Sequence, residues 1–201
     1  MKTYRKYGDE IKKVPIIPGS SIKGKIRSLL ELELADITLD EKGNDIKKYN
    51  TEEAKLIPKL FGVGANENEN KPNLNRLIVR DAYPTQKTAE KWEENEDIIE
   101  GGEVKGENNI NRITSAATPR FIERIPSASI FELEIILSVY EGDDKDELKN
   151  LIEKGIEKLN DSYIGGSGSR GYGKVKIEFD KHKNPNPEER DKIYYLNKTK
   201  E

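Results

Sequence analysis

The sequence predicts an α+β fold. Three observations carry that prediction: two amphipathic helical stripes, three stretches that alternate as strands do, and the order of these elements along the chain. The first stripe is Ile22, Ile26, Leu29 and Leu30, at i, i+4, i+7 and i+8. Pro18-Gly19-Ser20-Ser21 precedes it, with a serine in N-cap position. A second helical stretch runs from Thr51 to Leu60, and the polar run Ala65 to Asn73, alternating Asn and Glu, has nothing to bury and reads as a loop. Leu74 to Tyr83 reads as a strand, Thr85 to Asn95 as a helix, and Gly101-Gly102 as a break. Glu103 to Ser127 is a polar excursion too long for a tight connection. Ile130 to Tyr140 resumes as a strand with Phe131, Leu133, Ile135, Leu137 and Val139 on one face. After the turn Gly142-Asp143-Asp144, the residues Leu148, Leu151, Ile152, Ile156 and Leu159 form the second strong stripe. Val175, Ile177 and Phe179 alternate with charged residues in a last strand, Lys174 to Phe179, before a Pro- and charge-rich tail.

Helix, strand, strand, helix, strand is the ferredoxin-like βαββαβ pattern without its first strand. Val14, Ile16 and Ile17 form an extended stretch before the first helix, too short and too close to it to cross a sheet. The expectation is therefore a chain that begins late. One domain over residues 1–180 is expected, with insertions at about 36–73 and 84–127, and a polar tail over 181–201.

Composition excludes more than it identifies. With no cysteine there is no disulfide framework or thiolate metal site, and with one histidine, His182 in the tail, the common zinc and general-base chemistries have almost no material. No stretch approaches the ~20 apolar residues of a membrane span, and the polar opening MKTYRKYGDE is no signal peptide, so a cytoplasmic protein is expected. The net charge of −3 does not advertise nucleic acid, so any such reading rests on local cations.

Three segments gather such cations. At the first helix start, free backbone N–H groups meet Ser20, Ser21, Lys23, Lys25 and Arg27, as a phosphate site requires. A capped helix with a solvated charged face explains the same residues, although Gly24 inside the helix costs about 1 kcal/mol against alanine unless something must come close. The second segment, Gly165 to Lys174, places Arg170 and Tyr172 among glycines at 165, 166, 168, 171 and 173, which lets a phosphate backbone approach. It lacks the Gly-Lys-[Ser/Thr] of a nucleotide loop and precedes a strand, and a flexible connector is its alternative. The third, Glu107 to Ile125, reads as a two-armed hairpin carrying Arg112, Arg120 and Arg124, which Glu107 and Glu123 could neutralise on a solvated surface. No spacing among the carboxylates defines a metal triad.

These segments, in this order, resemble the repeat-associated RNA-binding (RAMP) superfamily of CRISPR proteins. Within it, Pro15 to Arg27, Leu60-Phe61-Gly62, Arg76 to Ala82, Asn111-Arg112 to Glu123-Arg124 and Gly165 to Gly173 are similar to the repeating backbone subunit of type III-A (Csm) complexes. The resemblance covers most of residues 15–180. It implies an RNA-recognition-like core with a helical lid insertion, a thumb hairpin that wedges between guide and target bases, and copies stacked head to tail along a guide CRISPR RNA beside other RAMP subunits. It places guide phosphates against Ser20, Ser21, Lys23 and Arg27 and against Gly168, Arg170 and Gly171, and it maps Arg112, Arg120 and Arg124 to the thumb.

The resemblance also implies cleavage of single-stranded target RNA by an aspartate and a divalent metal, Mg2+ or Mn2+. That aspartate belongs on a loop after the first strand, shortly before the Pro-Gly-Ser-Ser motif, and here Met1 arrives first. Asp9, in the turn Tyr7-Gly8-Asp9-Glu10, is the one acidic candidate nearby and takes no catalytic assignment. Either the strand and catalytic loop lie upstream, which the element order favours, or the protein is a non-cleaving scaffold. A repeat-processing endoribonuclease is the third reading, disfavoured by the single histidine.

Overall fold

A β-hairpin occupies the N-terminal stretch in which the sequence predicts no strand. The computed structural model describes residues 1–63 and 74–179, so the polar run Ala65 to Asn73, the tail and His182 lie outside the described residues. In this model β1 (Lys2–Tyr7) pairs antiparallel with β2 (Glu10–Pro15), from Tyr7↔Glu10 to Lys2↔Pro15. The two-residue loop that closes it has Gly8 at φ 58, the left-handed backbone a tight hairpin needs at its first position. The turn was legible in Tyr7-Gly8-Asp9-Glu10. The strands were not, because Tyr-Arg-Lys-Tyr and Ile-Lys-Lys-Val carry too many cations to signal a buried face.

The remaining elements are four helices and short antiparallel ladders, a mixed α+β architecture. Helix α1 covers Gly19–Leu34 and α2 Glu52–Phe61; α3 covers Gln86–Glu93 and α4 Lys145–Asn160. Side-chain caps start three of them: Thr51 accepts from Ala54 N–H, Thr85 from Thr88 N–H, and Asp144 from the N–H groups of Asp146 and Glu147. Within 36–73, where the resemblance implies a helical lid, β3 (Asp36–Leu39) and β4 (Asp45–Lys48) form a hairpin ahead of α2. Asp40 makes its turn by accepting from the N–H groups of Lys42 (2.8 Å) and Asn44 (2.7 Å).

Contacts divide the chain into two compact units, Met1–Gly19 with Arg80–Glu134, and Ser20–Val79 with the chain from Ile135 onward. The first unit contains β1 and β2, β6 (Tyr83–Pro84) paired with β10 (Phe131–Glu132), and α3. Its small core holds Val14, Ile16, Ala82, Ala89 and Trp92, and Trp92 donates from Nε1 to Ser129 Oγ at 3.2 Å. Extending from it, β7 (Ile98–Ile99), β8 (Gly102–Ile110) and β9 (Ala117–Arg124) form a three-stranded ladder. Its long β8–β9 arm is the predicted two-armed hairpin.

The second unit buries the two predicted stripes together with α2: Ile22, Ile26 and Leu30 of α1, Ala54, Ile57 and Leu60 of α2, and Leu148, Leu151, Ile152, Ile156 and Leu159 of α4. Gly155 permits the close approach of α4 to α1, since a Cβ there would stand 2.5 Å from Ile26 Cγ2 and 3.1 Å from Leu30 Cδ1. Its ladder is β5 (Leu77–Val79) on β11 (Ile135–Leu137).

Each of the two long strands predicted here, 74–83 and 130–140, is divided. From Val79 to Tyr83 the chain takes four steps (83 − 79), whereas from Ile135 back to Glu132 it takes three (135 − 132), so one register cannot serve both pairings. The predicted strand Lys174–Phe179 belongs to no ladder among the described residues. The Asn160 side-chain amide stands in for a neighbouring strand, accepting from Ile177 N–H (2.7 Å) and donating to Ile177 O (3.2 Å).

A buried carboxylate joins the parts of this unit. Asp143, its side chain 3% exposed, accepts from Arg76 Nε at 2.6 Å, Lys59 Nζ at 2.8 Å and Tyr140 N–H at 3.0 Å. Arg76 also donates to the carbonyls of Lys59 and Leu74. Burial pushes the Asp143 pKa up, but the hydrogen bonds from Arg76, Lys59 and Tyr140 outweigh it and hold the group at about 2. With the folded pKa below the ordinary 3.8, the carboxylate stabilises the protein above pH 4 and loses that contribution as pH falls toward 2. Asp143→Asn should therefore cost about 2 kcal/mol at pH 7 and almost nothing near pH 2. Urea unfolding of both proteins at the two pH values checks this, and a pH-independent difference would contradict it.

Candidate RNA-binding site

Helix α1 begins at Gly19, ahead of both serines. Gly19 N–H donates to Asp81 Oδ1 at 2.8 Å, so a carboxylate occupies the first backbone donor of the expected phosphate site. Ser20 and Ser21 lie within the helix and are exposed, neither of them its cap.

Of the α1 cations, the two singled out by sequence are engaged. Lys23 Nζ donates to Leu77 O at 2.8 Å, and burial, with Arg27 nearby, pulls its pKa down. Arg27 Nε donates to Glu31 Oε1 at 2.7 Å, and Glu31 is 3% exposed. Lys47 Nζ (2.7 Å) and the Tyr49 hydroxyl (2.9 Å) donate to the same carboxylate, which fastens the chain around β4 to α1. Burial pushes the Glu31 pKa up, and these three hydrogen bonds more than reverse the shift.

Lys25 is different. At about 100° per residue, Lys23 and Arg27 share one flank of α1 and Lys25 projects from the other. No carboxylate pairs with it among the described residues, and its Nζ lies 4.5 Å from the centroid of the Tyr163 ring. Gly24 adds open space, with no atom within 4 Å of where its Cβ would stand. In the sequence Lys25 is one of the helix-start cations but not among the expected phosphate contacts. The signal available was helical phase: Lys23 and Arg27 sit four apart beside Glu31, and Lys25 does not.

The glycine segment is a structured loop. Ile164 N–H donates to Gly173 O at 2.9 Å across its neck, and Gly168–Arg170 forms a 3₁₀ turn with Ser167 at φ 58 and Gly171 at φ 83. Gly168 is a glycine for a packing reason, since a Cβ there would fall inside the Tyr163 ring. Tyr172 is 7% exposed and belongs to the core, whereas the sequence predicts a loop group beside Arg170. Arg170 is exposed and has no carboxylate partner among the described residues, and no atom stands near a Cβ at Gly171.

Along the β8–β9 hairpin, the alternative of internal neutralisation holds for two arginines. Arg120 pairs with its register partner Glu107, and Arg124 with Glu103 at 2.6 Å, while Glu123 pairs with Lys2 at 2.8 Å. Arg112 sits in the exposed tip between the strands, with no ion pair among the described residues. Each of the three segments therefore offers a cation or open backbone: the Lys25 flank of α1 and the glycine loop in the second unit, and the hairpin tip in the first.

The model of the RAMP superfamily matches residues 4–176, nearly the whole described chain. This chain belongs to the RAMP superfamily. Similar proteins include one from Methanothermobacter thermautotrophicus, 45% identical over 180 residues, which cover 85% of this chain and 70% of that protein. Others are from Methanocaldococcus jannaschii, 39% identical over 81% of this chain and 62% of that protein, and Streptococcus thermophilus, 38% identical over 85% and 72%. All three bear the name CRISPR system Cms endoribonuclease Csm3. The chain thus spans about two thirds of the length of these relatives.

Among the described residues of this RAMP protein, no three His, Cys, Asp or Glu side chains group closely enough to hold a metal ion. Asp9 stands exposed at the β1–β2 loop. No described helix is long and apolar enough to cross a membrane.

Because Arg27 serves a buried carboxylate, reversing its charge should act on stability. Arg27→Glu is expected to cost roughly 3 kcal/mol in urea unfolding, by breaking one bond to Glu31 and setting a like charge beside it. An unchanged midpoint would return Arg27 to the set of free cations.

Proposed function

We propose that this chain is the guide-RNA-binding backbone subunit of a type III CRISPR effector complex, presenting the guide for pairing with a single-stranded target RNA. The observation that carries this reading is the 38–45% identity to three proteins named Csm3 over more than four fifths of this chain. The arrangement of cations supports it, because exposed cations and open glycine backbone suit a phosphate chain and no base-reading pocket is needed. Sequence is read by base pairing, as in other guide-directed complexes.

On this reading guide phosphates pass along Ser20, Ser21, Gly24 and Lys25 and over Gly168, Arg170 and Gly171, and Arg112 at the hairpin tip reaches the RNA. Lys23, Arg27, Arg120 and Arg124 shape the surface and contribute less charge to the ligand, since each is already engaged. We read the order α1, β5, β11, α4 and the extended stretch 174–179 as a ferredoxin-like core without its first strand. Further RAMP subunits and copies of this chain in head-to-tail array are the partners, and the cytoplasm is the location.

Lys25→Ala with Arg170→Ala should weaken binding to single-stranded RNAs of unrelated sequence alike. It should also flatten the dependence of log affinity on log salt by roughly 0.7 per lost contact. Filter-binding titrations at several salt concentrations measure both, and an unchanged affinity and slope in the folded variant would refute the site.

Cleavage is a separate matter. The names of the relatives imply an endoribonuclease, and the family resemblance a divalent metal, but the described residues do not fit one: Asp9 is alone and no carboxylate cluster forms. No cleavage step is assigned to these residues. The chain is expected to leave an end-labelled target RNA intact in the presence of guide RNA and Mg2+ or Mn2+. Cutting that Asp9→Ala abolishes would overturn this expectation.

A further inference from the structure

One aromatic ring touches both halves of the site in the second unit. Tyr163 follows α4 by three residues, and its ring lies so close to Gly168 that no side chain fits between them. The Lys25 ammonium stands 4.5 Å from the centroid of the same ring. Tyr163 nevertheless remains 39% exposed, and its hydroxyl makes no hydrogen bond among the described residues. The ring, rather than the hydroxyl, therefore makes these contacts.

We propose, on the RNA-binding reading above, that Tyr163 is a positioning residue for the guide phosphates: its ring seats the Gly168–Arg170 turn and holds the Lys25 ammonium beside it. Two physical effects support the assignment. A lysine side chain has many rotamers, and holding its cation near an aromatic ring before RNA arrives reduces the entropy lost on binding. The Gly168–Arg170 turn, entered through Ser167 and left through Gly171 in left-handed conformations, depends on its contact with the ring to keep Arg170 in one place. Lys25 and Arg170 have no carboxylate partner among the described residues, so both charges stay available to phosphate. Tyr163 orders two cations and supplies no charge itself.

The test compares Tyr163→Phe, Tyr163→Leu and Tyr163→Ala with the unmodified chain and with the Lys25→Ala/Arg170→Ala double variant. Filter binding to two unrelated single-stranded RNAs across a salt series is read beside a thermal melt. Tyr163→Phe is expected to bind as the unmodified chain does. Tyr163→Ala should bind roughly tenfold more weakly, with a salt slope shallower by about 0.7 to 1.4, one to two phosphate contacts. Combining it with Lys25→Ala should add less than the sum of the two losses. If Tyr163→Ala does not fold, Tyr163→Leu, which keeps bulk beneath Gly168 without a π face, should show a loss in the same direction.

Normal affinity and slope in a folded Tyr163→Ala or Tyr163→Leu would overturn the proposal, as would a failure of both to fold, which would make the ring purely structural. A loss in Tyr163→Phe equal to that in Tyr163→Ala would overturn it as well. The double variant separates the two readings. If it loses affinity while Tyr163→Ala does not, only the positioning role falls; if it also binds normally, the RNA site falls and the positioning role with it.

Discussion

The close approach of α4 to α1 at Gly155 is the constraint on which the functional surface depends. Two helices that both carry large apolar side chains along their stripes cannot come so near unless one of them presents bare backbone. Gly155 does so against Ile26 and Leu30. Lys25 precedes Ile26 by one residue, and Tyr163 follows α4 by three, so a contact made for packing also brings the cation to the ring. Glycine in mid-helix carries an intrinsic cost of about 1 kcal/mol relative to alanine, and here the burial of Ile26, Leu30 and Ile156 offsets it.

Two buried carboxylates play matching roles around that helix pair. Glu31 gathers Arg27, Lys47 and Tyr49, while Asp143 gathers Arg76, Lys59 and the Tyr140 N–H. Each fixes a polar hub at the edge of an apolar core, where an unpaired charge would be far more costly than a paired one. The consequence for function is a division of labour among the cations of the three segments. Lys23, Arg27, Arg120 and Arg124 satisfy acceptors of the protein itself, whereas Lys25 and Arg170 in one unit, and Arg112 in the other, have no carboxylate partner among the described residues.

The match to the RAMP superfamily over residues 4–176 and the geometry bear on different questions. Family membership names the kind of ligand and assembly. Geometry ranks the residues: it withdraws Lys23 and Arg27 from the front rank, moves Tyr172 into the core, and gives Gly168 a packing reason beside any role in letting a phosphate backbone pass.

What the sequence determined by itself was whatever depends on residues near one another along the chain. Helical stripes at Ile22, Ile26 and Leu30 and from Leu148 to Leu159 needed only their spacing, as did the helical stretches read from Thr51 and from Thr85. The turn at Gly8 and the two-armed hairpin read over 107–125, which pairs from Glu103↔Arg124 to Ile110↔Ala117, were local in the same sense. Tertiary structure alone decided the rest. Whether 174–179 joins a ladder depends on a neighbouring strand, and whether 77–84 is one strand or two depends on the register of its partner, neither of which is written in the segment itself. Whether a cation is free depends on which acceptor the fold brings within reach: Leu77 O for Lys23, 54 residues away, and the face of Tyr163 for Lys25. Spacing along a chain records which groups can share a helix face, and only the folded chain sets which charges meet.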